Sequence, residues 1–214
     1  MPRGAKATGC GAGGHTARRA ADHLAQRNFR VSDRDVRLGS RATEAEVKRL
    51  SEAGELARYR IVHFATHGAL AGQIGTNTEP GLILTPPKST TEGDDGYLSA
   101  SEITNLKLDA DWVILSACNT AAAGTEGDEA LSGLARAFFY AGTRALLVSH
   151  WAVASDETVK LITGAVGRMA SDRSVGRAEA MRQATLALID KGEAYEAHPA
   201  FWTPLVVVGE GATR

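Results

Sequence analysis

Apolar residues recur along this chain at two different spacings, and the alternation between those spacings predicts its architecture. In "TEAEVKRLSEAGELARY", starting at Thr43, the residues Val47, Leu50, Ala53 and Leu56 fall at helical spacing. Thr43 stands where an N-cap belongs and Glu46 follows three residues later, so the stretch predicts a capped amphipathic helix. Directly after it comes "RIVHFATHG", a short β-rich apolar run that closes at Gly68. A long stretch of Gly, Thr, Pro and Asp then has one apolar interruption, "GLILT", which predicts a short strand or hairpin arm. "LSASEITNLKL" predicts a short helix capped near Ser99, and "DWVILSA" a second core strand.

Beyond a Gly-containing loop at residues 121 to 127, "DEALSGLARAFFYAG" places Leu131, Leu134, Ala135 and Phe138 on one face and stops at Gly142, a natural C′ residue. The strand "RALLVSHW" follows at once. Two helical patterns, Asp156 to Arg168 and Val175 to Asp190, lead into "TPLVVVG", where the uninterrupted Val206, Val207 and Val208 predict a strand buried on both faces. Helix and strand thus alternate through the chain, which predicts an α/β layered domain with a largely parallel sheet.

The front of the chain reads differently. Residues 1 to 20 are mostly Gly, Ala and Arg with almost no large apolar side chain, so they bury too little surface to offset the entropy of ordering. A tail over residues 1 to 30 and a folded domain over 31 to 214 are expected. Gly9, Gly11 and Gly14 satisfy G-x-G-x-x-G, but that fingerprint needs a strand ahead of it, and "MPRGAKAT" does not read as one.

Composition narrows the function classes. With 43% hydrophobic residues, 23% charged residues and a formal net charge of −1 over 214 residues, the chain is an ordinary globular protein long enough for one good core. No nucleic-acid or acidic-membrane partner is expected from that balance. The cysteines are Cys10 and Cys118, too few for a disulfide framework, which favours a reducing, cytoplasmic setting. No apolar run has the length of a membrane span, and no apolar core follows the basic residues at the start, so neither an anchor nor a signal peptide is expected.

In an open α/β sheet, reactive groups gather at the carboxyl ends of the strands. Two fall at such ends: His67, closing "IVHFATHG", and Cys118, closing "WVILSAC". On neighbouring strands about 4.8 Å apart, an imidazole and a thiol can face one gap, as a cysteine nucleophile requires. The N–H groups of Gly68 and Cys118 are candidates for an oxyanion hole. Periodicity alone leaves a second reading of Cys118 open, as a buried strand-end filler. His63 and His67 do not form a metal pair, because residues four apart on a strand lie roughly 13 Å from each other, and Phe64 stands where the helical zinc motif needs Glu. His63 is expected to be a hydrogen-bonded core histidine. Ser149 lacks a G-x-S-x-G elbow and is assigned, with Trp151, to a pocket wall. Asp94, Asp95, Glu126, Asp128, Glu129, Asp156 and Glu157 lie near the same rim, and one of them could select a basic side chain.

Several stretches carry a specific resemblance. "HFATHG", "LSASEI", "LDADWVILSACNT", "ALSGLARAFFYAGTRALLVSHWAV" and "HPAFWTPLVVVGEG" occur in the order and spacing of the CHAT domain, a caspase-like family often fused to tetratricopeptide repeats. The resemblance spans about residues 40 to 211. It implies a caspase-like three-layer α/β/α sandwich and a His–Cys dyad that cuts peptide bonds, with His67 as the catalytic histidine and Cys118 as the nucleophile. It implies no cofactor and no metal, a peptide or protein substrate, and a possible tetratricopeptide-repeat or other protein partner. Two departures bear on function. Ala152 and Ala154 stand where relatives commonly have an acidic residue after the Trp, with Asp156 slightly later, which weakens the case for a basic P1 residue. Residues 1 to 40 do not resemble the usual front of the domain, although "NFRVSD" offers one strand. Some N-terminal strands are therefore expected to be lacking, as in a fragment of a longer protein. That shortened front is what favours the rival expectation, a catalytically silent CHAT-type module that binds a partner.

Overall fold

The computed structural model describes residues 6–9, 32–73, 78–91, 93–116, 133–150 and 155–212. In chain order the elements of the first half are β1 (Lys6–Gly9), β2 (Val36–Leu38), α1 (Glu44–Glu52), β3 (Ile61–Phe64), β4 (His67–Ala69), β5 (Gly81–Ile83), β6 (Tyr97–Ser99) and α2 (Ala100–Thr104). They continue with β7 (Trp112–Leu115), α3 (Gly133–Tyr140), β8 (Ala145–Ser149), α4 (Ser155–Ser171), α5 (Arg177–Lys191) and β9 (Leu205–Gly209). The main sheet has the order β2-β1-β3-β7-β8-β9, and β4, β5 and β6 form a separate antiparallel arm. All neighbours in the main sheet are parallel except β8 and β9.

A parallel strand needs cover on both faces, and alternating side chains supply it here. Val62, Phe64, Val113, Leu115, Leu146 and Val148 point to one face, where Val47 and Leu50 of α1, Ile103 of α2 and Leu134 and Phe138 of α3 close over them. Trp112, Ile114, Ala145 and Leu147 point to the other, against Leu161 and Ile162 of α4 and Ala180 and Met181 of α5. The result is an α/β/α sandwich with a mostly parallel sheet. No helix among the described residues is long and apolar enough to cross a membrane.

Local signals place the helices where the sequence does. The Thr43 side chain accepts from the Glu46 N–H at 3.2 Å and starts α1. Ser99 and Glu102 form a reciprocal capping box at the start of α2. After α3 the chain turns at Gly142, with φ at 99°. A Cβ there would run into the Leu108 carbonyl oxygen, so glycine is required both by conformation and by space. Leu131 lies outside the described residues.

Three expectations need correction. Lys6–Gly9 is not loose tail: it forms β1, between β2 and β3 in the sheet. A short stretch of modest strand propensity is recruited because the open edge of β3 offers a full row of backbone partners, so tertiary pairing overrides composition. The strand that the glycine fingerprint requires is therefore present, while Gly11 and Gly14 lie outside the described residues. Two strands, β1 and β2, do stand on the histidine side of β3; residues 28–31 of "NFRVSD" lie outside the described residues, and β2 is Val36–Leu38. The run "IVHFATHG" is two strands, because the chain leaves the main sheet after Phe64 and His67 opens β4 of the arm. Finally, β9 is an antiparallel edge strand and not a central one. Its valines are apolar on both faces because Val207 caps the rim of one core and Val208 the rim of the other, while Val206 is exposed.

Phe138 is fully buried and stacks at a tilt on Phe64, with ring centroids 5.6 Å apart. Phe138→Ala should lower the unfolding free energy by about 3–5 kcal/mol, measured by urea titration; a loss under about 1 kcal/mol would contradict this packing.

Candidate active site

The site grows out of two neighbouring strands. β3 and β7 run in parallel register, with His63 beside Ile114 and Phe64 beside Leu115. The Ser116 N–H extends the ladder by donating to the Phe64 carbonyl at 3.1 Å. Beyond these ends lie the two candidate residues in sequence, His67 three residues after Phe64 and Cys118 two after Ser116.

His67 is exposed at the start of β4, opposite Ile83 of β5, and Gly68 is half-buried opposite Leu82. The Thr66 hydroxyl, buried just before His67, donates to the Ile83 carbonyl and fixes the step from the main sheet into the arm. Cys118 and Trp151 lie outside the described residues. Ser149 is fully buried at the end of β8, and Asp156 is exposed in the first turn of α4. His150 follows Ser149, with its N–H on the Pro204 carbonyl at 3.0 Å. The structure thus puts His67 beyond the end of β3, next to the strand that leads into Cys118, and puts Ser149 one strand farther on.

Two features escaped sequence reasoning. The first is a charge network, built around one buried carboxylate, that holds the arm. Glu44, in the first turn of α1, is 1% exposed, and its carboxylate accepts from the N–H groups of Asp95 and Gly96, each at 2.9 Å. Lys48, one turn on, donates to Glu44, to Glu102 at 2.7 Å and to the Gly93 carbonyl at 2.8 Å. Burial pushes the Glu44 carboxyl above its ordinary range, against the opposing pull of Lys48 and the two N–H groups. Burial alone would lower the Lys48 ammonium, but its bonds to Glu102 and Glu44 outweigh that and raise it. Charged positions at helical spacing ordinarily read as a solvated face, which is why Glu44 and Lys48 gave no signal.

The second feature is a hydrogen bond of 2.6 Å between the His63 Nε2 and the Ser116 Oγ. His63 is 1% exposed, which bears out its expected place as a hydrogen-bonded core histidine. Burial pushes its imidazole down to about 4 from the ordinary 6.5, so the ring is neutral at neutral pH. No cluster of three or more His, Cys, Asp or Glu suited to a metal ion occurs among the described residues.

At the other ends of the strands the charges are paired off. Buried Asp111, before β7, meets Arg60 and Arg144, and buried Arg177 donates to the Glu210 carbonyl at 2.6 Å.

The family model described as CHAT domain matches residues 14–210. The chain belongs to the CHAT domain family. This CHAT domain therefore belongs with caspase-like, cysteine peptidase-like proteins. A comparison with curated proteins finds no match. The matched span takes in both halves of the site, from β3 and β4 to the segment after β7.

Two outcomes follow from the buried groups of this CHAT domain. Removing the Glu44 carboxylate strands two buried N–H groups and one side of Lys48, so Glu44→Ala should cost about 2–4 kcal/mol. Limited proteolysis should then cut between residues 86 and 96 before global unfolding; cleavage elsewhere first would show that the arm is held by other contacts. In the unfolded chain His63 takes its proton near pH 6.5, but in the folded chain only near 4. Its contribution to stability is complete above about pH 6.5 and is lost as pH falls toward 4, a span of about 3 kcal/mol. Glu46, held at about 2 chiefly by Arg49 and also by Arg37, adds a loss that begins only below its ordinary 4.5. Denaturant midpoints measured across this range should fall for the wild type, while His63→Gln should flatten the upper part of the slope.

Proposed function

We propose that this CHAT domain is a cysteine endopeptidase that cleaves through a His67–Cys118 dyad and a thioester intermediate. The observation that carries the proposal is the parallel pairing of β3 with β7, whose carboxyl ends at Phe64 and Leu115 lie side by side, with His67 and Cys118 each three residues farther along the sequence. Exposure of His67 supports its access to a substrate.

The chemistry follows from the two side chains. The Cys118 thiol gives its proton to the His67 ring, and the sulfur bonds to the substrate carbonyl carbon. The N–H groups of Gly68 and Cys118 hold the oxyanion of the tetrahedral intermediate. On collapse the C–N bond breaks, and His67 returns the proton to the departing amine. Water then attacks the thioester, with His67 taking its proton and returning one to the sulfur. Ser149, Trp151 and Asp156 are the candidates for lining the substrate pocket. No metal or organic cofactor enters the scheme. A reducing, cytoplasmic compartment suits the free thiol, and a tetratricopeptide-repeat or other protein remains the natural class of partner. The rival reading is a silent CHAT-type module that binds a partner, and the same Cys118→Ala comparison separates the two.

The test is peptide-library hydrolysis together with labelling by a thiol-directed acyl inhibitor. Cys118→Ala and His67→Ala should each lower kcat/KM by about a thousandfold or more, and Cys118→Ala should abolish labelling at that site. Equal hydrolysis by wild type and Cys118→Ala would sink the proposal.

A further inference from the structure

The hydrogen bond between His63 and Ser116 occupies a place that ordinary core packing does not explain. Along β3, Ile61 packs on the α4 and α5 side of the sheet, so by alternation His63 faces that side. Along β7, Trp112 and Ile114 face the same side, and Ser116, two residues on, continues the row. The two polar side chains therefore meet on one face, one ladder step from where β3 and β7 both end. Beneath them the row is apolar: Ile61, Trp112, Ile114 and Leu147.

A pair in this position closes a small ring of contacts. The Ser116 N–H holds the Phe64 carbonyl at 3.1 Å through the backbone, and the Ser116 hydroxyl holds the His63 ring at 2.6 Å through side chains. Only Phe64, Ala65 and Thr66 separate His63 from His67, and only Ala117 separates Ser116 from Cys118. Thr66 is itself tied to Ile83 in the arm. The side-chain bond thus adds, at the strand ends, a tie of different direction to the backbone ladder that pairs β3 with β7. A packing role would be met as well by two apolar side chains, without the cost of burying an imidazole and a hydroxyl.

We infer that His63 and Ser116 are positioning residues, a strap that sets the separation of the two strand ends from which the His67 and Cys118 segments depart. The inference deepens the peptidase reading and rests on it for its kinetic consequence, though the strap itself acts on the chemistry of the Cys118 thiol whether or not turnover follows. A buried, neutral ring suits the role, because a neutral imidazole keeps one donor and one acceptor and cannot repel the positive charge that His67 acquires during the reaction. The strap acts through alignment, and alignment errors of an ångström can cost about a hundredfold in rate.

The experiment uses the full chain with Cys10→Ser, so that Cys118 is the thiol observed. Ser116→Ala, Ser116→Thr, His63→Gln and the double variant His63→Gln with Ser116→Ala are compared with the Cys10→Ser parent, each first shown to be folded by its urea midpoint. Two readouts are taken: kcat and KM on a cleaved peptide, and the pH profile of Cys118 alkylation by iodoacetamide, resolved by mass spectrometry. Ser116→Ala should lower kcat by about ten- to a hundredfold with KM changed by less than about threefold, and should slow alkylation at neutral pH by raising the pH at which the thiolate forms. Ser116→Thr, which keeps the hydroxyl, should recover most of the loss. The double variant should be no worse than the more damaged single variant, because both remove one interaction. An unchanged alkylation profile in folded Ser116→Ala, or single losses that multiply in the double variant, would overturn the strap. If the parent cleaves no peptide but its alkylation profile shifts on Ser116→Ala, the peptidase reading fails and the strap stands; cleavage by the parent that Ser116→Ala leaves intact has the reverse meaning.

Discussion

β3 and β7 lie side by side in parallel, with Ile61 against Trp112 and Phe64 against Leu115, and helices seal both faces of the pair. Almost everything else in the molecule is arranged around that contact. Burial on two faces leaves the strands no room to slide, since a one-residue slip would exchange their side chains between two packed cores. The candidate residues lie beyond the carboxyl ends, where the chains leave the sheet, and the amino ends are occupied by paired charges around Asp111 and Arg177.

The arm attaches by a different physics. Its own core contribution is small, with Leu82, Leu84 and Leu98 joining the cluster shared by α1, α2 and α3. Three strands of three residues each have little ladder to hold them, so the buried Glu44 carboxylate matters more than its single charge suggests. It satisfies two backbone donors at a turn where Gly96 has φ at 86°. Lys48 neutralises it and reaches Glu102, which also caps α2. Such a network adds less to stability than its charges imply, because desolvation offsets much of the attraction, but it specifies one arrangement of arm and helix.

Local chemistry explains what was legible beforehand. Thr43 with Glu46, Ser99 with Glu102, and Gly142 are signals that act within a few residues, and each marks an element end where it was expected. The apolar runs of β7 and β8 were legible because buried parallel strands need them. Partnership across long sequence distances was not. Lys6–Gly9 becomes a strand only because β3 has an open edge, and the valines of β9 give no sign of whether the strand is central or peripheral, since a rim strand between two cores is apolar on both faces too. The join between Phe64 and His67 is invisible in "HFATHG" because leaving one sheet for another requires no glycine or proline. The candidate dyad was legible only as residues in a pattern. The polar groups around it, Ser116, Thr66, Glu44 and Lys48, carry no motif, because what distinguishes them is the partner each meets far along the chain.

That join has a mechanical consequence. His67 rides on a sheet that shares no ladder with β3 and β7 among the described residues, so its place relative to their ends depends on the apolar core that the arm shares with α1, α2 and α3 and on the Thr66 tie to Ile83. A change in the packing of α1 against Leu82, Leu84 and Leu98 is therefore felt at His67 through side chains, with no strand ladder to carry it.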